Sequence, residues 1–330
     1  MNNKNLLHQS KKVYLENFPN TVKFERAIFF SWGCDLRDCA FCYMSTQPKE
    51  KETKKARRSF ASIFAECIIS KNLNWDLGLL SGGIGAFNDQ EMEFMLKTIK
   101  EIYNDKIWLN MGVLNEKQII RFKPYLKGIV GSVETINPNL HDKLCPSKPL
   151  SKIENMFQLA NKHNINRAMT FIVGMGETQE DFILLKEFIS KFDIKKIHLY
   201  GLNPQVGTIF ENSKPPSIEQ QSWWIANLRI NFPKLDIECG IWEDRMDYIP
   251  YLLNAGANSI SKLRALKVFG TKKANVMINE IKKSERNFKS EFLNIPNINW
   301  DNEIERLDLD KKIKFEIKIR LNKYLDNLNS

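Results

Sequence analysis

Eight short apolar runs recur along this 330-residue chain, most of them followed by a stretch of helical period, and that alternation limits the fold more than any other feature. Strands are predicted at 26–32 "RAIFFSW", 76–81 "DLGLLS", 106–113, 128–134, 167–174, 196–202, 235–239 and 258–260. Between them, "QEMEFMLKTIKEIY" gathers Met92, Phe94, Met95, Ile99 and Ile102 near one face, and "EDFILLKEFISKF" does the same with Phe182, Leu185, Phe188 and Ile189. Strand and helix in alternation build parallel βαβ units. About eight such units make a (β/α) barrel, so the expected class is α/β, TIM-barrel-like, with its chemistry at the C-terminal ends of the strands.

Composition narrows the setting. With 43% hydrophobic and 27% charged residues the balance is that of an ordinary globular protein. No run approaches the length of a membrane span, and "MNNKNLLHQSKKVYLENF" lacks the pattern of a secretory signal. A cytoplasmic protein with reduced thiols and no membrane partner is expected. The net charge of +10 would permit nucleic acid as a partner, but the charges are scattered except over the last 50 residues, so a solvated surface is the expectation. Residues 276–330 are expected to be a charged, helical extension; "IKFEIKIRL" within it alternates with period two, which leaves helix and strand both open.

Half of the six cysteines lie on one short loop, Cys34, Cys39 and Cys42, directly after the first predicted strand. Soft thiolates at that spacing suit zinc or an iron–sulfur cluster. Structural zinc closes a shell of four ligands, and the histidines are only His8, His141, His163 and His198. Three thiolates on a cubane leave one iron open. A zinc-binding nucleic-acid module is the rival from another class.

The trio and the motifs downstream of it resemble the radical S-adenosylmethionine (radical SAM) superfamily, although four residues rather than the usual three separate Cys34 from Cys39. The resemblance implies a 4Fe–4S cluster on Cys34, Cys39 and Cys42 whose open iron binds SAM and cleaves it to a 5′-deoxyadenosyl radical. It implies further that Phe41 and Tyr43 flank the adenine, and that Gly82 and Gly83 of "SGGIGAF" offer backbone groups to the methionyl amino group. Glu134 of "GSVETIN" would hold ribose or amino groups, and Arg167 the SAM carboxylate. Ile172, Val173 and Gly174 of "FIVGMGE" would stack on adenine, while Glu177 reads as a structural charge at a helix start.

"VETINPNLHDKLCPSKPL" and "LLNAGANSISKL" are similar to segments of the biotin synthase, lipoyl synthase and hydrogenase-maturation group, over residues 25–272. That likeness divides the chain into an N-terminal extension (1–24), a core barrel (25–215), a half-barrel shared with biotin and thiamin biosynthetic enzymes (216–275) and the extension (276–330). It implies cofactor biosynthesis, with lipoyl-type sulfur insertion favoured and sulfur-free carbon rearrangement, as in the maturation protein of the iron-guanylylpyridinol hydrogenase, as the competitor. Cys145 and Cys239 are the candidates for a second iron–sulfur cluster; Cys67 reads as a buried hydrophobe, and Ile241 and Trp242 stand where biotin synthase uses an arginine. The implied partners are a low-potential electron donor of the ferredoxin or flavodoxin kind and, for the lipoyl reaction, a lipoyl-carrier protein and a companion radical SAM protein.

Overall fold

The computed structural model describes residues 3–48 and 52–329. Eight parallel strands form the barrel: β1 (Thr21–Phe29), β2 (Asp76–Ser81), β3 (Ile107–Asn110), β4 (Leu126–Glu134), β5 (Asn166–Val173), β6 (Ile194–Gly201), β7 (Asp236–Gly240) and β8 (Ser259–Ser261). They are hydrogen-bonded in chain order from β2 to β8, β8 pairs with β1, and β1 pairs with β2, so the sheet closes on itself. A short β9 (Asn287–Phe288) lies against the outer part of β1. The helices are α1 (Asn3–Asn17), α2 (Phe60–Asn72), α3 (Asp89–Tyr103), α4 (Glu116–Phe122), α5 (Pro138–Leu144), α6 (Leu150–Lys162), α7 (Phe182–Phe192), α8 (Ile218–Asn231), α9 (Ile249–Asn254), α10 (Ala265–Val268), α11 (Lys272–Lys283), α12 (Trp300–Glu305) and α13 (Lys311–Asn329). Among the described residues no helix is long and apolar enough to cross a membrane.

The outer faces of the strands and the inner faces of the helices share one large core. The lumen is different. Alternate residues point inward, and they stack in layers of unlike character. Lowest are charges: Lys196 Nζ lies 2.7 Å from Glu25 and 2.8 Å from Asp236, and His198 Nδ1 is hydrogen-bonded to Glu238. An apolar plug of Ala27, Leu79, Trp108, Val130 and Ala168 fills the side of β1 to β5. Above it the inward residues turn polar again, and a cavity opens.

Several boundaries differ from the sequence expectation, each for a visible reason. β1 begins at Thr21 rather than 26, inside the expected N-terminal extension, because Val22 and Phe24 face the helices while Lys23 and Glu25 face the charged floor. It stops at Phe29 because Ser31 leaves the sheet for an isolated bridge with Arg57. β3 ends at Asn110, two residues before Gly112 takes φ +90°. "IKFEIKIRL" is helical: Ile317, Leu321 and Leu328 of α13 are buried, and of the other members of the period-two pattern Phe315 and Ile319 are exposed and Ile313 is half-buried. The longer 3.6-residue repeat outweighs the short alternation.

Candidate active site

The cavity occupies about 850 Å³ over the C-terminal ends of the strands. Its rim carries Cys34, Cys39 and Cys42, its wall Glu134, Lys148 and Ile172, and its floor Asn110, Ser132, Thr170, Tyr200 and Lys262.

Local contacts set the cysteine loop. Arg37, with φ +49°, donates from Nε to the Cys34 carbonyl at 2.8 Å and from Nη2 to Thr53 Oγ1 at 3.2 Å, and is also bonded to the Pro48 carbonyl. Ala40 N donates to Leu144 O at 2.8 Å and Ser147 N to Asp38 Oδ2 at 3.1 Å, so the loop is tied to the segment following β4. Cys42 N donates to Cys39 O at 3.0 Å, and Cys42 Sγ caps the next turn by accepting from Met44 N at 3.4 Å. Burial pushes the Cys42 thiol up to about 11. Among the described residues no three His, Cys, Asp or Glu side chains converge closely enough to share one metal ion. All three thiols line the same cavity, and three thiolates without a fourth protein ligand suit a cluster with one open iron.

Gly82 and Gly83 line the cavity beside this loop, and their lack of a side chain has a packing reason as well. A Cβ on Gly83 would lie 1.8 Å from Gly33 O, and one on Gly82 would lie 2.3 Å from the Phe30 ring. Tyr43 is half exposed at the mouth. Glu134 ends β4 in the left-handed region, φ +63°, and Lys148 Nζ stands 3.5 Å from its Oε1. Burial opposes the Lys148 charge, but Glu134 and the neighbouring thiols hold its pKa above the usual lysine value.

Five expected site residues lie elsewhere. Arg167 is at the opposite end of the barrel, where it donates to Phe192 O at 2.9 Å and pairs with Asp193 at 2.9 Å; it precedes β5's inward run instead of ending it. Cys239 faces the helix layer and donates to Ser259 O at 3.3 Å, because its neighbour Glu238 takes the inward position. Val173 is buried in that same outer core, and the Gly174 N–H is taken by Glu177 at 2.6 Å, so only Ile172 of the three presents itself to the cavity. Cys145 is sealed beneath the loop among Leu144, Met175, Leu202, Cys39 and Phe41. Its S–H reaches toward Cys39, which holds the Cys39 thiol below the ordinary value and drives Cys145 up. The two spare cysteines therefore do not meet. Sequence reasoning misses Lys148, Lys262, Tyr200, Thr170, Asn110 and Ser132; for the last four the signal is a polar row alternating with the apolar one on β3 to β6, whereas Lys148 and Lys262 lie outside the strands.

The radical SAM superfamily model matches residues 28–189, which contain the loop, both glycines and Glu134. An uncharacterised protein of Methanocaldococcus jannaschii is 37% identical over 86% of this chain and 79% of its own. The chain belongs to the radical SAM superfamily. Biotin synthase of Macrococcus caseolyticus is 25% identical, over 77% of this chain and 78% of that one. The crystal structure of methylornithine synthase shares the fold with a TM-score of 0.66 at 20% identity, over 78% of this chain and 77% of that one. A radical SAM enzyme works with a 4Fe–4S cluster and SAM, and takes electrons from a reductant. The residues present fit both groups: three thiols on one rim, the Gly82–Gly83 backbone lining the cavity next to them, and a buried carboxylate and ammonium in its wall.

Proposed function

We propose that this radical SAM enzyme carries out a sulfur-free carbon rearrangement on a small molecule held in the barrel, as a step of cofactor biosynthesis. When bound, the cluster and SAM supply a 5′-deoxyadenosyl radical that abstracts a hydrogen atom from the substrate. Cys34, Cys39 and Cys42 hold the cluster. Lys148 attracts the SAM carboxylate, Glu134 accepts hydrogen bonds from its amino or ribose groups, and the Gly82–Gly83 backbone and Ile172 complete its seat, with Tyr43 over the adenine. The apolar plug beneath the floor keeps water out from below, which protects a radical from quenching.

One observation carries the choice against sulfur insertion. All six cysteines are accounted for, and outside the trio none lines the cavity: Cys67 and Cys239 are in the outer core and Cys145 is sealed under the loop. A sulfur-donor cluster of the lipoyl kind needs ligands of its own facing the substrate, which two separated thiols do not provide. The lipoyl-carrier protein and the companion radical SAM protein belong to that discarded alternative; a ferredoxin- or flavodoxin-like reductant remains part of the proposal.

The test is the iron and sulfide content of anaerobically reconstituted enzyme, together with 5′-deoxyadenosine formation under a low-potential reductant. About four irons per chain with SAM cleavage is expected, one cubane's worth. About eight irons, half of them lost in Cys145→Ala, would restore sulfur insertion.

A further inference from the structure

Eight described non-glycine residues have positive φ, and five of them, Asn74, Asn104, Asn164, Asp193 and Glu285, close the C-termini of helices, where that conformation is routine. The other three are Arg37, Glu134 and Lys262, and all belong to the cavity or its loop. A lysine at φ +73° is a local cost that the surrounding fold must enforce, and such residues gather at ligand sites. Here the enforcement is visible. A Cβ on Gly240 would stand 2.4 Å from the Tyr200 ring and 2.9 Å from Lys262 Cγ, so only glycine on β7 lets the Lys262 side chain lie across Tyr200.

The ammonium so placed is in direct contact with no counter-charge among the described residues. Lys262 Nζ lies 4.0 Å from the Tyr200 ring centroid and 5.5 Å from that of Phe29, and among the described residues it makes no hydrogen bond or ion pair. The nearby carboxylates are engaged elsewhere, Glu238 with His198 and Glu134 with Lys148. Burial therefore pushes the Lys262 pKa down. On β5, lining the same cavity, the Thr170 hydroxyl is buried without a partner, and Ser132 donates to Asn110 Oδ1 at 2.9 Å. Phe29, Leu79 and Trp242 supply apolar wall. β8 is four strands from β4 in either direction around the ring, so Lys262 stands across the cavity from the Glu134–Lys148 pair.

We propose that Lys262, at the end of β8, anchors the carboxylate of a small aliphatic organic acid, the substrate of this enzyme. The unpartnered Thr170 hydroxyl offers the substrate a hydrogen bond from β5, and the aromatic walls take the aliphatic body, which extends toward the cysteine rim. This rests on the radical SAM reading and adds the substrate's chemical class. Lys262 is an anchoring group, not a participant in hydrogen transfer.

Reconstituted enzyme with SAM bound is titrated calorimetrically with butanoate, glutarate, adipate and pimelate, each against its amide. The expected result is at least one acid bound at least tenfold more tightly than its amide, a preference lost in Lys262→Met and kept in Lys262→Arg. Thermal melts of the variants establish that each is folded. Acids and amides binding alike, no acid binding, or a preference that survives Lys262→Met overturns the proposal. So does a tenfold fall in SAM affinity in Lys262→Met, which would give the ammonium to SAM itself. An iron content near eight would defeat the sulfur-free chemistry while leaving the acid preference to stand or fall by its own titration.

Discussion

Lys148 Nζ lies 3.5 Å from Glu134 Oε1 at the wall of the cavity, and both side chains are nearly sealed from bulk water. A buried pair of this kind is more easily harmed by removing one partner than the pair's net worth suggests, since the other charge is left without compensation. Glu134→Gln and Lys148→Gln should each keep the iron and its brown colour while weakening SAM binding by about 1–3 kcal/mol, the range for hydrogen bonds to charged groups. Equilibrium dialysis with SAM, alongside iron analysis, checks this. Unchanged affinity in both variants would make the pair a purely structural one.

Gly83 tests the cradle. Because its Cβ would meet Gly33 O at 1.8 Å and Cys34 Cα at 2.7 Å, both backbone atoms, no side-chain rotation can relieve Gly83→Ala. The expected outcome is a displaced cysteine loop, a loss of roughly 1–3 kcal/mol of stability and an iron content well below wild type. Full iron loading and SAM cleavage in Gly83→Ala would show that the loop does not depend on this contact.

Cys239 separates burial from ligation. It packs in the outer core and donates to Ser259 O, so Cys239→Ala should cost about 1–2 kcal/mol in urea unfolding with iron content unaltered. A fall in bound iron would contradict its placement outside the lumen.

Acid stability follows from Glu66 of α2. Burial alone would raise its pKa, but Arg26 at 2.5 Å and Arg58 at 2.7 Å hold it below the ordinary carboxylate value. A depressed folded pKa means that the stabilisation is complete above about pH 4.3, the unfolded value, and is lost as pH falls through the folded pKa. Glu66→Gln should lose about 3 kcal/mol at pH 7 and show a flatter decline between pH 5 and pH 3. Denaturant midpoints over that range decide it; parallel declines in both proteins would remove Glu66 from the account. Glu25 has the opposite sign: burial pushes it up to about 7, so its share of stability falls as pH rises from the unfolded value through 7.

Much of the barrel is legible in the chain itself. Helix-facing rows such as Leu80, Ile129, Phe171, Leu199 and Ile237 are apolar whatever lies inside, and eight of them in alternation with amphipathic helices leave little choice of fold. The cysteine trio is equally plain, because a soft-metal loop is a local pattern that needs no partner from afar.

The inward rows are another matter. Lys196, His198 and Glu238 read as ordinary surface polar residues, yet they are buried against one another because barrel closure brings β1, β6, β7 and β8 around one axis. The placement of Arg167 and Cys239 escapes the sequence for the same reason: one residue of register moves a side chain from the cavity to the helix layer, and the end of the strand on which it sits decides whether it meets the site or the floor. Sequence alone determined that a three-cysteine loop crowns a barrel. Only the tertiary structure decided which charges face it, since Glu134, Lys148 and Lys262 are separated by up to 128 positions in the chain and become neighbours of one cavity through the closing of the sheet.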